Sequence, residues 1–228
     1  MSRLRKFLFS LSAVAILAVV SATAHADPIT VVGVGSGSFS TASVDCVFDS
    51  ATNTFTFTIT NTSHLTRPGS TSTITGIGFD LPPFGNDEKD GLNGFTGSQA
   101  ASMSSTFDFS DGDLGNVPQG FNNVVLDFGF TTGPSGNFNG GSPNDGLAPG
   151  ESASFIVSGT AFDGLTGEEI CNAIFVRFQN VPLAGNSGGS DVGVPSTSAI
   201  PEPSTMILLG TALVGLGGVV RRRRTKRR

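Results

Sequence analysis

The sequence predicts an all-β fold, and three observations support this. Apolar and polar residues alternate along several short segments, which is the pattern of strands that bury one face. All 19 aromatic residues are Phe, and many alternate with Thr, a combination that suits pleated sheets better than helices. Gly, Pro, Asn, Asp and Ser cluster between these segments and mark turns. We therefore expect a single β-sandwich-like domain, jelly-roll or immunoglobulin-like, over residues 27–181.

The clearest predicted strand is 54–60, in which Phe55, Phe57 and Ile59 share one face and Thr occupies the other. Other segments with alternation or a short apolar run bring the expected number to about eight strands. These further segments are 31–34, 44–48, 72–81, 102–109, 123–130, 152–160 and 173–179. In 123–130, the residues expected on one face are Val124, Leu126, Phe128 and Phe130.

The connections between the strands are predicted from capping and turn residues. Thr166 and Glu169 have the spacing of a capping box, which predicts one helical turn before the last strand. The segments 82–100 and 131–150 are rich in Gly, Ser, Asn and Pro and predict long loops. The similar segment 182–199 predicts a flexible linker.

The first 26 residues have the features of a secretory signal peptide. Arg3 and its neighbours are cationic, and an apolar run follows from Phe7 to Val20. Ala24 and Ala26 then form a small-x-small cleavage site. We expect signal peptidase to cut there, so that Asp27 begins the mature chain.

The C-terminal segment has three parts in a fixed order. Pro201, Glu202 and Pro203 precede an uncharged stretch at 204–220, and eight residues rich in Arg and Lys follow at 221–228. As a helix, the 17 residues of the stretch would span roughly 25 Å, the lower limit for crossing a bilayer. The basic residues predict a C-terminus in the cytoplasm and a body outside the inner membrane.

This arrangement resembles the PEP-CTERM protein-sorting signal of Gram-negative bacteria that make exopolysaccharide, over about residues 199–228. The resemblance implies that an exosortase recognises the motif at 201–203 and removes the tail. It implies only transient contact with the inner membrane, and a mature protein at the cell surface or outside the cell. Exopolysaccharide becomes a candidate partner. The chemistry of the body is not part of the resemblance.

Charge is distributed unevenly along the chain. Residues 27–200 contain 17 acidic residues and only Arg67, Lys89 and Arg177 as basic ones, a net charge of −14. Such a body repels phosphate backbones, which excludes nucleic acid as a partner.

The two cysteines, Cys46 and Cys171, lie in a chain that the leader directs to an oxidising compartment. A pair in that setting favours one disulfide bond. In the chain-entropy model, a bridge between cysteines 125 residues apart contributes up to about 4–5 kcal/mol to the free energy of unfolding.

Catalytic side chains are scarce. His64 is the single imidazole that remains after the leader, too few for a zinc or copper site. Residues 185–189 match G-x-S-x-G but lack the flanking strand and helix of a nucleophile elbow. We therefore expect a protein that is not an enzyme.

Two groups of carboxylates are weak candidates for calcium, because hard oxygen ligands along Gly-bearing loops suit Ca²⁺. Aspartates in such loops more often bond their own backbone in turns, and we expect no resident cofactor. The candidate residues are Asp87, Glu88, Asp90, Asp108, Asp111 and Asp113.

The sequence as a whole predicts an exported surface or matrix protein, structural or adhesive in role and associated with exopolysaccharide. Two alternatives stay open: a Ca²⁺-dependent or glycan-binding module, and a secreted hydrolase that uses paired carboxylates.

Overall fold

The protein is described from a computed structural model. The structure describes residues 24–25, 27–66, 68–82, 94–102, 105–115, 117–118, 121, 124–133, 137–139, 141–183 and 186–196. The predicted sorting segment, most of the predicted signal peptide, and the calcium candidates Asp87, Glu88 and Asp90 lie outside these residues.

The described residues form an all-β single domain, as predicted. Two short helices, α1 (Ser63–Thr66) and α2 (Gly167–Asn172), and a 3-10 turn (Thr160–Phe162) connect strands. The strands are β1 (Ala24–His25), β2 (Ile29–Gly33), β3 (Gly37–Asp49), β4 (Thr54–Asn61), β5 (Thr73–Phe79), β6 (Thr96–Ser102), β7 (Asp108–Leu114), β8 (Leu126–Thr131), β9 (Ser152–Ser158), β10 (Ile174–Leu183) and β11 (Asn186–Pro195).

The strands belong to one continuous antiparallel sheet rather than to the two sheets of a jelly roll or immunoglobulin-like sandwich. Their order is β6-β9-β4-β3-β2-β11-β10-β5-β8-β7, and β1 pairs separately with β3. The sheet curls until its two end strands, β6 and β7, approach each other. The result is a nearly closed, barrel-like sheet.

Phenylalanine rings fill the inside of this sheet. Phe57 on β4 and Phe155 on β9 point across the barrel toward Phe130 on β8. The centroid of the Phe130 ring lies 6.0 Å from that of Phe57 and 4.5 Å from that of Phe155. Phe79 on β5 packs edge-on against Phe57 at 5.0 Å. On β4 every second residue is buried, which confirms the alternation predicted for 54–60. A single Phe-rich core therefore holds the two walls together.

A second apolar cluster lies on the outer side of β5, β8 and β10. Because of it, β5 and β8 are buried along their whole lengths. The prediction that 123–130 presents one apolar face was wrong, since Phe128 and Phe130 join the inner core whereas Leu126 joins the outer cluster. The buried members of the outer cluster are Leu114, Val117, Leu126, Phe138 and Val192.

Three segments differ from their predicted structure. The strand expected at 102–109 shares only its ends with β6 and β7, and the described residues 105–107 between them form no strand. The long loop expected at 82–100 contains most of β6, which pairs with β9. The expected linker at 182–199 contains β11, which pairs with β10 and β2. β11 has few apolar side chains, so alternation does not reveal it. At Gly193 a Cβ would lie under 3 Å from Val31 and Phe178, and the position therefore favours glycine.

The predicted helical turn is confirmed as α2. The Thr166 hydroxyl accepts a hydrogen bond from the Glu169 backbone N–H, and the Glu169 carboxylate accepts from the Thr166 backbone N–H. Hydrogen bonds from the Thr166 backbone N–H and hydroxyl lower the pKa of Glu169. The capping bonds satisfy backbone donors that the first turn leaves free.

Candidate functional site

The described residues nearest the two predicted processing points lie at one end of the sheet. β1 pairs Ala24 with Phe48 and His25 with Val47, so cleavage after Ala26 would remove β1 and leave Asp27, which is exposed, as the first residue. Just after β11, the Ser196 N–H donates to the Thr30 carbonyl of β2 at 2.8 Å. The start of β2 and the end of β11 are thus neighbours. We call this the terminal end of the domain.

The disulfide bond lies at the terminal end. Cys46 of β3 and Cys171 of α2 are bonded, with their Cα atoms 6.2 Å apart, and each is 1% exposed. Gly167 of α2 lies close to β3, since a Cβ there would lie 3.1 Å from the Cβ of Phe48. The bridge ties α2, which precedes β10, to the opposite wall of the sheet.

The calcium candidate Asp111 has a structural role. Its carboxylate on β7 accepts hydrogen bonds from the backbone N–H groups of Gly94 at 2.9 Å and Phe95 at 3.0 Å, just before β6. Asp108 is exposed at the start of β7, and Asp113 occupies the same strand. Across the described residues, no group of three His, Cys, Asp or Glu side chains lies in a position to hold a metal ion.

A second side chain closes the seam between β6 and β7. The Gln99 amide on β6 donates to the Ser105 carbonyl at 3.0 Å and accepts from the Phe107 N–H at 2.9 Å. Phe109 of β7 covers Gly97, where a Cβ would lie 2.3 Å from the ring. Side chains therefore join the two end strands here, which sequence patterning had no means of revealing.

The outer side of β4 and β9 carries rows of hydroxyl groups. Cross-strand pairs join Thr58 to Ser154 at 2.8 Å and Thr60 to Ser152 at 2.7 Å. Ile156 interrupts the row and is 38% exposed. We call this side the hydroxyl face.

The end opposite the terminal end carries two exposed apolar side chains. Val34 follows β2 and is 55% exposed, and Leu65 in α1 is 69% exposed. Their turns rest on consecutive residues of β3: the hydroxyl oxygens of Ser36 and Ser40 lie 2.7 Å apart, and Thr41 donates its N–H to Ser63 at 3.1 Å. The two apolar side chains therefore belong to one region, which we call the far end.

His64 lies in α1 at the far end and is exposed. Its ring borders Gly150, whose Cβ position is 3.4 Å from Cε1. Nearby, Asn61 begins the triplet Asn61-Thr62-Ser63, which matches the N-x-S/T glycosylation pattern. Asn61 is 0% exposed, and its amide donates to the carbonyls of Ser72 and Leu147. That amide is therefore not available for modification in the folded domain.

Two carboxylates face each other where β5 and β8 reach the terminal end. Phe79 pairs with Phe128, so Asp80 lies opposite Asp127 one position further on. The Asp127 carboxylate accepts from the Leu81 N–H at 2.7 Å. Burial, and then the charge of Asp127, raise the pKa of Asp80 to about 6. Asp80 therefore titrates at mildly acidic pH.

The C-terminal residues 199–224 match the family model of the PEP-CTERM protein-sorting motif. The chain thus carries the sorting signal that the sequence suggests, and this signal implies export and processing by an exosortase. The match covers the tail alone and does not identify the family of the body.

Comparison with other proteins adds little about the body. No curated protein matches the chain. A solved structure described as "pH-induced modulation of Streptococcus parasanguinis adhesion by Fap1 fimbriae" is similar over 70% of this chain and 84% of that chain. The identity is 14% and the TM-score is 0.30, a level of likeness that says nothing about what this chain does. Within the described part of the chain, no helix has the length and apolar character needed to span a membrane.

Proposed function

We propose that this protein is an exported, exosortase-processed component of the cell surface or extracellular matrix, structural or adhesive in role and not an enzyme. The sorting motif at 199–224 carries this proposal. The disulfide-stapled domain supports it, because a covalent cross-link between walls suits a protein that must persist outside the cell.

The last described residue at the C-terminal side indicates an orientation for the domain. Ser196 lies beside β2 at the terminal end, so we expect a tail held in the membrane to keep this end toward the membrane until the tail is cut. Residues 197–203 span at most about 25 Å when extended. The far end, with Val34 and Leu65, then points away from the cell and is the surface that we assign to contact with exopolysaccharide.

Co-sedimentation of the mature protein with exopolysaccharide from the host tests the contact. The double substitution Val34→Ser with Leu65→Ser should reduce the sedimented fraction at least fivefold, while Ile156→Ser on the hydroxyl face should leave it unchanged. The reverse result would assign the contact to the hydroxyl face. Equal sedimentation of all variants and of an unrelated acidic protein would remove the adhesive role.

Processing is tested separately. Replacing Glu202 with Ala in the host should leave a longer chain in the membrane fraction if the motif at 201–203 is what the exosortase recognises. Normal release of the variant would show that recognition lies elsewhere.

A further inference from the structure

Within the described part of the chain, Arg177 of β10 is a buried cation without an ion pair. It lies against the outer cluster and is 4% exposed, and its Nε and Nη1 atoms have no hydrogen-bond partner there. It is one of three basic residues in 27–200. A guanidinium does not lose its charge at physiological pH, so burying it unpaired is unfavourable.

The carboxylate of Asp191 influences Arg177 but accepts its hydrogen bonds from other residues. Burial lowers the pKa of Arg177 and Asp191 opposes this shift. However, the Asp191 carboxylate accepts from the N–H groups of Gly35 and Ser36 at 3.0 Å and 2.7 Å, and from the Ser36 hydroxyl. Asp191 pairs with Phe178 whereas Arg177 pairs with Val192, so the two side chains leave the sheet on opposite sides.

Two further buried polar atoms without partners among the described residues lie close to Arg177 in the sheet. Gln179, two residues along β10, has an unpaired Oε1 atom, and Thr75 of β5 has an unpaired hydroxyl oxygen. Thr75 sits where the β5–β10 pairing shifts, between Gly76 opposite Arg177 and Ile74 opposite Phe178. The irregular pairing thus concentrates unsatisfied groups at one place.

Packing is close where Gly76 of β5 faces Arg177. A Cβ at Gly76 would lie 3.1 Å from the Cβ of Arg177 and 3.3 Å from the ring of Phe138. Phe138 is itself 0% exposed and covers the strand. A group that reaches Arg177 must therefore be small.

We propose that Arg177, Gln179 and Thr75 bind a small oxyanion that keeps one O–H group, such as bicarbonate or a protonated phosphate. Its negatively charged oxygens accept hydrogen bonds from Nε and Nη1, and its O–H donates to the Gln179 Oε1 atom. The Thr75 hydroxyl completes the site, either by donating a hydrogen bond to the anion or by accepting one from its O–H group. Chloride and nitrate lack the O–H and leave the Gln179 oxygen unpaired.

Thermal unfolding of the full chain in chloride, nitrate, bicarbonate and phosphate, at one pH and ionic strength, tests the site. Bicarbonate or phosphate at ten times its Kd should raise Tm by about 3–6 °C relative to chloride. Arg177→Met, which removes the charge but keeps an apolar side chain of similar length, should abolish this rise. Comparing the two anions shows which of them the site prefers.

Two glutamine variants form a matched pair. Gln179→Leu should lose most of the anion-dependent rise, while Gln99→Leu, whose amide is paired in the seam, should lower Tm in every salt and keep the rise. These variants decide the matter if Arg177→Met does not fold. Equal Tm values of the wild type in all four salts, or a rise that survives Arg177→Met, would overturn the proposal.

Discussion

The two walls of the sheet bury their side chains in different ways. Strands β3, β4 and β9 form an alternating wall, with Phe, Ile and Val directed inward and Thr and Ser outward. Strands β5, β8 and β10 form a covered wall, in which the outer cluster also buries the second side. Both walls contribute rings to the same inner core.

The difference shows where polar groups can be tolerated. On the alternating wall, hydroxyl groups pair across strands at the surface and remain near water. On the covered wall, polar groups such as Arg177 and Thr75 are closed off from water, and each unpaired one is costly. Function that depends on a buried polar site therefore belongs to the covered wall.

The largest effect should come from the core that the walls share. Phe57 contacts Phe55, Phe79, Phe130 and Phe155. Phe57→Ala should lower the free energy of unfolding by about 3–5 kcal/mol, because it leaves a cavity between the walls. Urea unfolding measures the loss. A cost below about 1 kcal/mol would mean that the walls do not pack as described.

The disulfide is the covalent link between the walls. The double variant Cys46→Ala with Cys171→Ala should lose about 2–5 kcal/mol in the same assay. The bond closes a separation of 125 residues, so most of the loss reflects a less restricted unfolded chain. If reduction of the wild type by dithiothreitol caused no comparable loss, the bond would not staple the domain.

Glycine on the covered wall should resist substitution. A Cβ at Gly78 would lie 2.3 Å from Leu126 Cδ1 and 3.3 Å from the Phe138 ring. Gly78→Ala should therefore cost about 1–3 kcal/mol through overpacking. Gly115→Ala is the matched control, since nothing lies within 4 Å of its Cβ position. Equal effects of the two variants would contradict the close cover over β5.

Acidic pH should strengthen the covered wall. The pKa of Asp80 in the folded protein is about 6, above the ordinary value of 3.8 for an aspartate. The folded state therefore binds more protons than the unfolded state between these values, and stability falls as pH rises from about 4 to about 6. Asp80→Asn should flatten this part of the Tm profile. An unchanged slope would assign the dependence to another group.

The smallest effect should come from the alternating wall's outer side. Thr58→Val removes a hydroxyl that pairs with Ser154, yet both groups lie near water. We expect a change within about 0.5 kcal/mol in urea unfolding. A loss above about 1 kcal/mol would show that the hydroxyl face is a structural network.

Patterning in the sequence predicts the two walls unequally. Strand β4 follows from strict alternation, and α2 follows from the Thr166 and Glu169 capping box, because both signals are local. Strands β6 and β11 offer few apolar residues, so their positions depend on partners far along the chain, β9 for β6 and β2 for β11. Such long-range contacts leave no periodic signal.

The same limit applies to the candidate sites. Cys46 and Cys171 are predictable as a pair because composition and compartment suffice. Asp111, a calcium candidate on the sequence, accepts backbone hydrogen bonds at the seam, and nothing in the sequence indicates that Arg177 is buried. Both depend on how the sheet curls.

The most direct test of a surface or matrix role is the intact mass of the protein from the surface and medium fractions of its host. We predict a species that begins at Asp27, contains the Cys46–Cys171 bond and ends near residues 201–204. A protein that retains the Arg-rich tail at 221–228 and stays in the inner membrane would contradict that role.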